Sequence, residues 1–183
     1  MWTEVGKTNV SNASSVNYSI TKGVWYRFMI YGLRMHSAND TLGLALSSNG
    51  GSSFVQYHYG HNRMYTAYNN SIASQTWAYR TEGVRLTYDQ LPHSNDLNAL
   101  VGEINVHQSL ASGPSLSNRC NIWGFWHGQQ GQEWVIQGYN DTGADINYIR
   151  FRAFTNNNWS NSNYNLYGKF NQYKICLLYT SDA

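Results

Sequence analysis

Apolar and polar residues alternate with a period of two along most of this chain, and no long window keeps the 3.6-residue apolar period that an amphipathic helix requires. Successive side chains of a strand point to opposite faces, so the pattern predicts an all-β protein. The expected form is an antiparallel β-sandwich, jelly-roll-like, built from short strands and polar turns.

The strands expected early in the chain are Trp2 to Gly6, Val16 to Thr21 and Trp25 to Met35, followed by the alternating Leu42, Leu44 and Leu46. The third places Tyr26, Phe28 and Ile30 on one face and Trp25, Met29, Tyr31 and Leu33 on the other. Both faces are apolar, which predicts a central strand covered on both sides. Asn49-Gly50-Gly51 then supplies the positive φ angles of a tight hairpin before Phe54 and Val55. Further strands are expected at Met64 to Tyr68, Ile72 to Tyr79, Gly83 to Tyr88, Leu100 to Val106, Cys120 to His127, Glu133 to Tyr139, Ile146 to Thr155 and Tyr164 to Tyr167. Pro92 and the Ser-Asn-Asp cluster break the one helix-like stretch, Asp89 to Leu100, which reads as a long loop.

With 183 residues the chain can bury a core without metal or disulfide staples. A 15% aromatic content is too apolar to stay unfolded. Only 12% of residues are charged, with a net charge of +2 and no basic block, which disfavours nucleic acid as a partner. No run approaches the roughly 18 apolar residues of a membrane helix, and the first residues lack a signal core, so the expectation is a chain that neither inserts in a membrane nor is exported by itself. Cys120 and Cys176 have no zinc or redox spacing and read as two unrelated buried thiols. The polar fraction is mostly Asn, Ser, Thr, Gln and Gly, which implies a neutral surface suited to carbohydrate, protein or particle contacts.

Several constellations could carry chemistry. Glu103 (VGEINV) and Glu133 (GQEWVIQG) are the carboxylates set among apolar strand residues and would form the pair of a glycoside hydrolase if they met in one cleft. Alternation puts Glu103 opposite Gly102 and Ile104, away from any pocket on their side, and no catalytic residue is assigned. His58 and His61 could show two imidazoles to a metal but lack a third ligand, and Asp40, Asp89 and Asp96 read as turn residues. No metal or cofactor is expected, since the glycine-rich pieces precede no helix that could hold a phosphate. In NIWGFWH, Trp123 and Phe125 share one strand face and Trp126 lies on the other. An exposed Trp126, or Trp159 beside Asn157 and Asn158, would form a stacking platform for a sugar ring.

The ordered pieces WYRFMIYGLR (Trp25 to Arg34), LALSSNGGSSF (Leu44 to Phe54), VQYHYG, Gly102 to Ile104, Ile149 to Phe151 and Leu166 to Gly168 together make a pattern that resembles a family of β-sandwich proteins among phage virion and tail-associated structural proteins. These are fold markers with no catalytic signature. The resemblance spans residues 2 to 168 and implies a non-enzymatic virion component: a tail-fibre or tail-associated module, assembled in the host cytoplasm with copies of itself or other tail proteins, and contacting host-surface polysaccharide. A free-standing carbohydrate-binding module or adhesin is the alternative. One domain is expected over 1–170. The tail 171–183 departs from the pattern, ending in CLLYTSDA, which is similar to translated adapter sequence.

Overall fold

A computed structural model of the chain describes residues 1–35, 40–55, 58–66, 72–80, 83–86, 100–110, 119–127, 132–140, 143–155 and 166–176. Twelve strands cover them: β1 (Thr3–Ala13), β2 (Ser15–Ser19), β3 (Val24–Met35), β4 (Asp40–Ser47), β5 (His58–Thr66), β6 (Ile72–Arg80), β7 (Val84–Arg85), β8 (Leu100–Gln108), β9 (Cys120–His127), β10 (Gln132–Asn140), β11 (Tyr148–Thr155) and β12 (Leu166–Cys176). Among the described residues there is no helix. The expected all-β sandwich is what forms.

The strands make two antiparallel sheets, one of eight strands in the order β1-β12-β3-β8-β9-β10-β5-β6 and one of four in the order β2-β11-β4-β7. Without β5, β6, β9 and β10, eight strands remain. They pair first with last (β1 with β12), second with seventh (β2 with β11), third with sixth (β3 with β8) and fourth with fifth (β4 with β7). The pairs β9–β10 and β5–β6 then extend the larger sheet beyond β8.

Inward-facing residues of both sheets meet in one core. Phe28 of the large sheet packs edge-on to Phe151 of the small one, with ring centroids 5.2 Å apart, and Phe151 reaches Phe170 at 5.4 Å. Leu42, Leu44, Leu46, Ile104, Val106 and Ile149 are each fully buried around these rings. Deleting a phenylalanine ring from such a site costs about 3–5 kcal/mol, so this cluster holds the sheets together. Tyr18 adds a polar tie. Its hydroxyl donates to Thr8 Oγ1 at 3.1 Å and lies 3.4 Å from the Phe170 carbonyl, joining β2 to β1 and β12. Burial pushes its ionisation above the ordinary tyrosine value, although the bond with Thr8 works in the other direction.

The turn after β4 shows the local chemistry foreseen for Asn49-Gly50-Gly51, with φ of 68° at Gly50 and 88° at Gly51. Ser47 Oγ accepts from the backbone N–H of Gly51 at 2.9 Å, and Asn49 Oδ1 accepts from that of Ser53 at 2.9 Å. One backbone bond returns the chain, Val55 N–H to the Leu46 carbonyl at 2.8 Å, without a second full strand.

Three expectations need correction. Strand β1 continues past the expected end at Gly6 to Ala13. Strand β3 is central in its sheet but covered on one side only, since Tyr31 on its outer face is 37% exposed. Leu33 leaves the outer face for the core because Gly32, at φ 65°, breaks the alternation and shifts the register with β8. Strand β12 runs to Cys176, pairs with β1 and β3, and buries Asn171 and Gln172. Residues 177–183 lie outside the described residues, as does the expected loop Asp89 to Leu100 up to that last residue.

Candidate functional site

The inner face of β9 carries Cys120, Ile122, Gly124 and Trp126, all buried. Trp126 is 1% exposed, so it is a core residue and no stacking platform. It fits because Gly102 faces it across the β8–β9 pair. A Cβ at Gly102 would lie 2.2 Å from Trp126 Cε3. Trp159, Asn157 and Asn158 lie outside the described residues.

Alternation then sends Trp123 and Phe125 to the outer face of the large sheet, as their spacing predicts. There Phe125 is 53% exposed, and Val135, opposite it on β10, is 45% exposed. Val101, two residues along β8 from Glu103, the partner of Phe125, is 43% exposed. Phe125 and Val135 face each other directly and Val101 lies diagonally from Phe125 across the β8–β9 pair, so three half-exposed apolar side chains stand on neighbouring strands of one face.

Beside the patch, Trp25 stacks on His107 with centroids 4.3 Å apart and meets Trp123 edge-on at 5.2 Å. Burial under this stack holds the His107 imidazole below the usual histidine range, favouring the neutral ring. Between these rings and the N-terminus lies a polar centre. Arg27 Nε is 3.1 Å from Glu103 Oε1 and donates to Asn105 Oδ1 at 3.3 Å, while Asn105 Nδ2 donates to Glu103 Oε1 at 2.7 Å. The Arg27 guanidinium also lies under the Trp2 ring, 4.3 Å from its centroid. At the margin Arg119 covers the Tyr139 ring at 4.2 Å.

Glu103 and Glu133 share this outer face. They stand two strands apart and two residues out of register, so their backbones are roughly 12 Å apart by ordinary strand spacing. The Glu103 carboxylate turns toward Arg27 on β3, away from β10. The Glu133 side chain is 65% exposed and has His127 Nδ1 at 3.7 Å. A general acid needs a protonated carboxyl in an apolar surround. Glu103 has an arginine and an amide donor instead.

His58 and His61 lie on β5, where the backbone alone is described, and Asp89 and Asp96 fall outside the described residues. Among the described residues no group of three or more His, Cys, Asp or Glu is placed to hold a metal ion. Cys120 is a free, buried thiol pushed up to about 12 by desolvation, which makes it a packing residue.

Sequence reasoning found the alternation that separates Trp123 and Phe125 from Trp126 but missed the cluster of Trp25, His107 and Trp123 and the Arg27–Glu103–Asn105 centre. These residues come from β3, β8 and β9, and only the strand order brings them together. No protein-family model matches the chain, and comparison with curated proteins finds no match.

Proposed function

We propose that this chain is a non-enzymatic jelly-roll module of a phage virion, tail-fibre or tail-associated, whose contact surface is the outer face of the eight-stranded sheet. The observation that carries the reading is the patch of Phe125, Val135 and Val101 on the open face, bordered by Trp25, His107 and Trp123. Exposed apolar side chains gathered on one face and rimmed by polar groups mark an interaction surface. The first-with-last pairing of eight strands supports the jelly roll, a fold that builds many viral coats and lectins. The paired Glu103 supports the non-enzymatic reading.

Such a module works by repetition. Weak contacts from several copies sum to useful avidity, so a shallow surface suffices. The test is sedimentation of the purified chain together with gel retardation through bacterial surface polysaccharides, with reducing ends assayed in the same samples. Self-association or retardation without new reducing ends is expected. Release of reducing ends, or neither association nor retardation, would overturn the reading.

A further inference from the structure

We infer that the outer face of the large sheet binds a neutral polysaccharide, stacked on Trp123 and Phe125 and hydrogen-bonded by Gln137 and the Arg27–Glu103 pair. This rests on the contact surface proposed above and names its ligand.

The geometry starts with β9. Trp123 and Phe125 are two residues apart on one strand, so their rings follow one another along the face at about 7 Å. Rings in a row accept the C–H faces of successive sugars. Gln137 is the cross-strand partner of Trp123 and is exposed, which sets an amide donor and acceptor beside the first ring. On the other side of Trp123, across β8, lies the polar centre. Glu103 Oε1 takes both the Arg27 and the Asn105 contacts, and among the described residues Glu103 Oε2 and the two Arg27 Nη atoms have no hydrogen bond. A carboxylate oxygen and guanidinium N–H groups side by side accept from and donate to neighbouring hydroxyls, the functional groups a sugar presents in adjacent pairs.

Charge argues for a neutral chain. Among the described side chains around these rings the carboxylates of Glu103 and Glu133 balance the guanidinium groups of Arg27 and Arg119, leaving no surplus positive charge beneath the rings to draw an anionic polymer. Lys7 and Lys169 stand on β1 and β12, on the far side of β3.

Affinity electrophoresis tests the inference, using the full chain with dextran, hydroxyethylcellulose and galactomannan as neutral probes and alginate and polygalacturonate as acidic ones. At least one neutral probe should retard the protein. Trp123→Ala and the more exposed Phe125→Ala should each weaken that retardation at least tenfold, and Glu103→Gln should weaken it severalfold. Asn17→Ala, on the small sheet, should not change it. Retardation by acidic probes only, or retardation that survives both ring substitutions, would overturn the inference while leaving a contact surface in place. No retardation, with self-association abolished by Phe125→Ala, would make the surface a protein interface and also overturn it. No retardation and no association would remove both the inference and the function it rests on.

Discussion

The indole of Trp126 occupies the space that a side chain at Gly102 would fill: a Cβ built there falls 2.2 Å from Cε3 and 2.6 Å from Cδ2 of the ring. The glycine has ordinary strand geometry, so close approach and not backbone freedom is the reason for it. Gly102→Ala must displace a rigid, fully buried ring and is expected to cost about 2–3 kcal/mol. Chemical denaturation measures this. An alanine variant as stable as the parent would show that Trp126 packs elsewhere.

Gln108 holds the segment before β11 in place. Its Nε2 donates to the Ala144 carbonyl at 2.7 Å, and its Oε1 accepts from the buried Ile146 N–H at 2.8 Å. Gln108→Met keeps the volume but leaves both backbone groups without this partner, for an expected loss of about 2 kcal/mol. Faster amide exchange at Ile146 should accompany it; an unchanged rate would remove the bond from the account.

Cys120 should be inert in the folded protein. With its thiol pushed up to about 12, almost no thiolate forms at pH 8. Iodoacetamide labelling followed by peptide mapping should modify Cys120 only after denaturation. Labelling in the native state would place it at a surface.

His107 gives the fold a pH dependence. Its folded-state ionisation is lowered by burial, so the unfolded chain binds the proton more readily. The stability it contributes is complete above the ordinary histidine value near 6.5 and is lost as pH falls through the lower folded value. His107→Gln should flatten this part of the stability profile, on the acid side of the ordinary histidine value. An NMR titration that finds His107 raised instead would mean that attraction between imidazolium and the Trp25 face outweighs burial.

Much of this architecture is legible in the sequence because strand alternation is local. Trp123 and Phe125 fall on one face and Trp126 on the other whatever the rest of the chain does. Which face is the core is not local: it depends on Gly102, a residue of another strand that makes room for the indole. Leu33 was misplaced because a single positive φ at Gly32 inverts the alternation after it. The tail 171–183 is set apart in the sequence by its departure from the resemblance pattern, yet Asn171 and Gln172 are buried on β12 between β1 and β3, where only the strand order places them. The Arg27–Glu103–Asn105 centre was invisible for a related reason. Arg27 and Glu103 are neighbours only because β3 pairs with β8.

The central claim, that contacts are made by the outer face of the large sheet, is tested most directly by placing a charge in the middle of it. Phe125→Glu should leave thermal stability within a few degrees of the parent, because the ring is 53% exposed, and should abolish the polysaccharide contacts that retard the parent. Asn17→Glu, on the outer face of the small sheet, serves as the matched control and should retain them. Contacts that survive Phe125→Glu but are lost in Asn17→Glu would contradict the account and move the functional surface to the four-stranded sheet.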